Sequence, residues 1–117
     1  METNQIPNLV LLNGFSMSML RNPRLATIEF KRISLAELRE LVTNAKTILN
    51  YIRHQSTVQL IASLVGRQLE PNAGNYIYSP GDVLILITLA APQRGQELTQ
   101  VKPEDLVIYL VSVRHLE

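Results

Sequence analysis

His54 stands directly ahead of Gln55-Ser56-Thr57, where the chain opens a helix. Free backbone N–H groups at a helix N-terminus attract anions. The hydroxyls of Ser56 and Thr57 add donors, so His54 lies beside a natural phosphate site, although an ordinary surface or capping histidine fits the same spacing. Further along, Arg94 and Glu97 stand three residues apart, where an apolar run gives way to a loop. Strand ends commonly carry functional groups, and this spacing lets Glu97 orient Arg94. An exposed loop salt bridge is the plainer reading of the same pair. Asn13 and Ser16 follow another apolar run, and turn chemistry alone accounts for them equally well. Together these residues suit phosphodiester chemistry. Cleavage without a metal needs an in-line nucleophile, stabilisation of the charged phosphorane and a proton for the leaving oxygen. RNA brings its own nucleophile in the 2′-OH, so a histidine and an arginine make a minimal set.

Composition narrows the alternatives. The 117 residues fit one compact domain, 1–117, and 46% hydrophobic content is enough for a core. The chain has no cysteine, which removes disulfides, thiolate metal sites and cysteine nucleophiles. Its two histidines, His54 and His115, lie far apart and have no partner at metal-ligand spacing, so neither a metal site nor a cofactor is expected. Net charge is +1, from 11 basic and 10 acidic residues, and no basic stripe is visible, so no duplex DNA is expected as a partner. Most of the basic residues are arginines, whose planar fork suits phosphate. A small anionic ligand held by a few of them is compatible with a near-neutral chain. Charged residues make up only 18%, which fits a surface partly covered by a second subunit. No apolar run is long enough to span a membrane and no signal-peptide pattern opens the chain, so a soluble cytoplasmic protein is expected.

The elements that must position these residues follow from periodicity. Asn8 to Leu12 reads as a buried strand, closed by the turn Asn13-Gly14. Ser16 is expected to cap a helical turn over Met17–Leu20. Leu25 to Ile33 alternates apolar and polar residues, as a half-buried strand does. Ser34-Leu35-Ala36-Glu37 is a capping box opening a helix with an apolar stripe of Leu35, Leu38, Leu41 and Val42. Thr47 to Arg53 suits helix or strand. Ser56 to Gln59 reads as a second capping box, and Gly66 ends the helix it opens. Tyr76–Tyr78 reads as a short strand, Ser79 to Asp82 as a turn, and Val83–Leu89 as a central strand. After the polar turn at Lys102–Asp105, Leu106–Val113 is the last strand. The expected fold is α/β or α+β: a mixed sheet of about five strands, with helices mainly on one face.

Three segments resemble a known family. Asn13-Gly14-Phe15-Ser16-Met17-Ser18-Met19-Leu20 is similar to the Asn-Ala-Phe-Ser-x-Asn-Met-Leu opening of the type III anti-CRISPR ring nucleases. These are small proteins of archaeal viruses with bacterial and phage relatives. His54-Gln55-Ser56-Thr57-Val58-Gln59-Leu60 resembles that family's His-Asp-Ser-Thr-Ile-x-Leu, and Gln93-Arg94-Gly95-Gln96-Glu97 resembles its Gln-Arg-Leu-Glu-Glu. The likeness runs from about Leu9 to Leu98. Each motif is short, but three in order at compatible spacing are fairly specific.

The resemblance implies a mixed sheet backed by helices, assembled as a two-fold homodimer that binds cyclic tetra-adenylate and cuts it. Cutting this messenger would silence type III CRISPR signalling. His54, Arg94 and Glu97 fall on the catalytic positions. Asn13, Ser16 and Ser18 fall in the opening motif near the ring, and Ser56, Thr57 and Gln93 complete the implied ligand contacts. Ser18 replaces asparagine, and Ala73 replaces a basic residue that viral relatives carry after Asn72. The segment from Asp82 to Arg94 is about two residues longer than theirs, so ligand contacts there do not transfer. Two alternatives use the same residues differently: a non-catalytic nucleic-acid-binding regulator, and a sponge that holds the cyclic oligoadenylate without cutting it.

Overall fold

A computed structural model of the chain describes residues 6–70, 74–89 and 102–117. Among the described residues the strands are β1 (Ile6–Leu12), β2 (Ala26–Ile33), β3 (Ala45–Asn50), β4 (Val83–Leu89) and β5 (Leu106–Leu116). They join in one mixed sheet, ordered β2-β5-β4-β1-β3. β1 runs parallel to both β3 and β4, with Leu11 beside Asn50 and Leu12 beside Leu86. β5 is antiparallel to β4 on one side and to β2 on the other. The carboxyl ends of β1, β3 and β4 therefore meet at one edge of the sheet.

Two helices, α1 (Leu35–Thr43) and α2 (Gln55–Val65), cover one face. Leu38, Val42, Val58 and Ile61 from these helices pack on Leu9, Leu11, Ile85, Ile87 and Ile108. Alternate strand residues point the other way. Val10, Leu12, Leu84 and Val111 form a second, smaller core under Tyr76, with Phe15 and Met19 packed against it. Leu9 to Leu12 are all buried because β1 is covered on both faces, which is why it reads as an unbroken apolar run.

The α/β expectation holds: five strands, mixed directions, helices on one face. The identity of one strand differs. Ala45–Asn50, which overlaps the ambiguous stretch Thr47 to Arg53, is a parallel strand beside β1. Tyr76–Tyr78 lies on the sheet face without joining the ladder. The polar groups of that segment are committed elsewhere: the Tyr78 N–H donates to the Met19 carbonyl at 2.8 Å, and the Tyr76 hydroxyl donates to Asp82.

Local signals explain most boundaries. The Ser34 hydroxyl accepts from the Glu37 N–H, and the Glu37 carboxylate accepts from the Ser34 N–H, each at 3.1 Å, so the first capping box forms as read. The second does not. His54 is the N-cap of α2, and its carbonyl already accepts from the Val58 N–H at 3.0 Å, which puts Ser56 inside the first turn. Ser16 precedes the 3₁₀ turn Met17–Leu20, but its hydroxyl meets the Ser18 hydroxyl at 2.8 Å instead of a backbone N–H. Gly66 ends α2 at φ 71°, a conformation that favours glycine. Gly81, at φ 98°, shapes the Ser79–Asp82 turn.

Candidate functional site

Parallel strands deliver their following loops to a shared edge, and in open α/β sheets ligands bind in the crevice outside those carboxyl ends. Here the loop after β1 carries Asn13 to Ser16, and the loop after β3 carries Tyr51 to His54. Between them lies a crevice of about 620 Å³. Asn13, Phe15, Ser16 and Ser18 form one wall, Tyr51 and Arg53 another, and Gly74 to Ile77 close it from above the second core. Its size is within the range of small-molecule sites.

Buried polar side chains hold these loops. Asn50 ends β3 and is 4% exposed. Its Oδ1 accepts from the Ile52 N–H at 3.1 Å, and its Nδ2 donates to the Glu70 carbonyl at 3.4 Å. The Tyr51 N–H donates to the Leu11 carbonyl at 2.8 Å, extending the ladder one step beyond β3. The chain then turns toward α2 with Arg53 and His54 presented at the edge. At the amino-terminal end of β4, the Tyr76 hydroxyl donates to Asp82 Oδ2 at 2.5 Å, and Asn8 Nδ2 donates to Asp82 Oδ1 at 3.1 Å. Burial of the Tyr76 phenol, with its hydrogen bond to the Asp82 carboxylate, pushes its pKa well above the usual tyrosine range. The Tyr51 and Tyr76 rings meet at 5.3 Å with a 59° tilt, a contact between the second wall and the cover.

Arg53 is the only charged residue lining the crevice among the described residues. It is exposed, and its Nη2 donates to Asn75 Oδ1 at 3.3 Å. The rest of the lining offers hydroxyls, amides and aromatic faces.

The structure gathers some of the expected residues and separates others. Asn13, Ser16 and Ser18 line the same crevice. His54 is exposed at the N-cap of α2, next to Arg53 in the chain but outside the crevice lining. Ser56 is half-buried and Thr57 is buried, so Ser56 is the hydroxyl left nearer to solvent. Gln93, Arg94 and Glu97 lie outside the described residues. The chain leaves β4 at Leu89 and enters β5 at Leu106, and these two are partners in one ladder at the carboxyl end of β4. His115 is on β5 at the opposite end of the sheet, paired with Thr27. Among the described residues no group of three or more histidine, aspartate or glutamate side chains is placed to hold a metal ion, and no helix is long and apolar enough to cross a membrane.

Sequence reasoning missed Asn50, Tyr51, Arg53, Asn75 and Tyr76. Asn50 carried a faint signal, as a polar residue closing an apolar strand. Arg53 carried a stronger one, as a cation in the same short loop as His54.

Comparison with known proteins places this architecture. A family model described as STIV B116-like matches residues 9–109, from β1 through the crevice to the middle of β5. Among solved structures the chain is similar to B116 of Sulfolobus turreted icosahedral virus (STIV), at 25% identity and a TM-score of 0.62, over 89% of this chain and 97% of that one. No curated protein matches. Both matches fit the viral family that the three motifs resemble.

Proposed function

The chain belongs to the STIV B116-like family, and from that premise we propose that it is a metal-independent ring nuclease that binds cyclic tetra-adenylate across a homodimer and cuts it. The observation that carries this reading is the meeting of Asn13, Ser16 and Ser18 in one crevice with Arg53, at the sheet edge where His54 caps a helix. Hydroxyls, amides and one guanidinium suit a phosphodiester flanked by bases. A helix N-terminus beside them adds free N–H groups for a second phosphate.

The chemistry follows from the substrate. A ribose 2′-OH loses its proton to water as its oxygen attacks the adjacent phosphorus, and the bond from phosphorus to the 5′-oxygen breaks. Arg94 stabilises the charge that builds on the phosphorane oxygens, and Glu97 orients Arg94. His54 gives its proton to the leaving 5′-oxygen. The products are short linear adenylates with 2′,3′-cyclic phosphate and 5′-OH ends, and the type III CRISPR signal is lost. A ring with two-fold symmetry on a two-fold dimer presents opposite phosphates to equivalent residues of the two subunits.

Incubating the protein with labelled cyclic tetra-adenylate in EDTA tests the reading. Conversion to linear products with cyclic phosphate ends is the expected result. Intact ring that nevertheless co-elutes with the protein would mark a sponge, and intact ring that does not bind would remove the ligand altogether.

A further inference from the structure

We infer that Arg53 is an anchor for a phosphate of the ring that is not being cut, with Asn75 holding its guanidinium in place. The inference rests on the ring-nuclease reading for the ligand and on the crevice for the contact. Among the described residues Arg53 is the one charged lining group, and no carboxylate shares the crevice with it. Its partner, the Asn75 side-chain carbonyl at 3.3 Å, is neutral. A carboxylate there would cancel the charge, whereas an amide oxygen fixes the plane of the guanidinium and leaves the full positive charge for an anion. Arginine has five N–H donors, and this bond uses one, so a pair remains for bidentate contact with phosphate.

The neighbours specify what the anion is attached to. Tyr51 and Phe15 line the same crevice as Arg53. Aromatic rings next to a cation make the pairing that a nucleotide needs, one for the base and one for its phosphate. His54 lies outside the crevice lining although it follows Arg53 directly. The group that protonates the leaving oxygen and the group that binds this phosphate therefore address different places on the ligand. Arg53 acts on a neighbouring phosphodiester and contributes mainly to affinity.

The test compares wild type with Arg53→Ala, Arg53→Lys and Asn75→Ala, using cyclic tetra-adenylate in EDTA. Binding is followed by titration at several salt concentrations, and cleavage by single-turnover rates. Arg53→Ala should weaken binding roughly 10–100-fold, the loss expected of a charge-assisted hydrogen bond. The slope of log affinity against log salt should shrink by about 0.7, as for one phosphate contact to single-stranded nucleic acid. The rate at saturating ring should fall far less than the affinity. Arg53→Lys should recover part of the binding, since an ammonium keeps the charge and loses the fork. Asn75→Ala should weaken binding by a smaller factor without changing the salt slope. Thermal melting of each variant separates a binding defect from a folding defect, and Arg53→Gln replaces any alanine variant that melts early. Wild-type affinity and salt slope in Arg53→Ala, with the wild type still cutting the ring, would overturn the inference alone. A wild type that neither binds nor cuts the ring would overturn the ring-nuclease reading and this contact with it.

Discussion

The hydroxyl of Tyr76 donates to the Asp82 carboxylate at 2.5 Å, and this bond ties the cover of the crevice to the amino-terminal end of β4. Asp82 is held from the other side by Asn8 of β1, at 3.1 Å. The Tyr76–Asp82 bond closes the 74–82 segment on itself and the Asn8 bond fastens it to β1, which sets the position of Asn75 and of the Tyr76 ring against Tyr51.

Tyr76→Phe should cost about 1.5–3 kcal/mol of stability at neutral pH, as expected for a part-buried hydrogen bond to a charged group. The same bond makes stability sensitive to alkali. The pKa of Tyr76 is raised in the fold, first by burial and then by the Asp82 bond, so its neutral form is the one the fold favours. Its contribution is complete below the ordinary tyrosine pKa of about 10 and is lost as pH rises through the higher folded value. Denaturant melts between neutral pH and strong alkali should show the wild type losing stability above that point, with a shallower loss in Tyr76→Phe. Parallel curves would place the alkaline sensitivity elsewhere.

Asn50→Leu should loosen the loop that carries Arg53 and His54. The side chain is buried and its Oδ1 is the acceptor for the Ile52 N–H, which would be left without that partner. A buried unsatisfied donor costs about 1–3 kcal/mol. Cleavage should fall together with stability, and Asn50→Asp should restore part of both because it keeps the acceptor. A fully active, fully stable leucine variant would show that the loop is held by the backbone alone.

His54→Ala should abolish cleavage and leave most of the ring binding intact. General acid catalysis contributes roughly 10²–10⁴-fold, whereas affinity comes from donors around the phosphates. His54 is exposed at the N-cap of α2 and its side chain makes no capping hydrogen bond, so the variant should melt as the wild type does. Wild-type single-turnover rates in this variant would take His54 out of the mechanism.

Mixing His54→Ala subunits with wild-type subunits should yield heterodimers that cut one side of the ring and accumulate linear tetra-adenylate. This follows if one ring spans two equivalent sites. A monomer by light scattering that stays active at nanomolar concentration would exclude the arrangement, as would heterodimers that release dinucleotides at the wild-type rate.

Local signals and their failures divide along a physical line. The apolar run at β1, the alternation in β2, the Ser34–Glu37 box, the glycine stop at Gly66 and the central strand β4 were all legible, because each depends on residues within a few positions of one another. The closeness of Asn13, Ser16 and Ser18 was legible as well, since they fall within six residues of one another. The sequence could not separate β3 from the Tyr76 segment. Both are short and partly apolar, and the choice depended on which of them found a neighbour in β1. Nor could it show that Arg53 reaches Asn75, or that Tyr76 closes on Asp82, Asn8 and Tyr51. The local chain determined the elements and the polar residue types that their connecting loops carry. The parallel pairing of β3 and β4 with β1, which brings distant loops to one edge, decided which of those residues share a crevice.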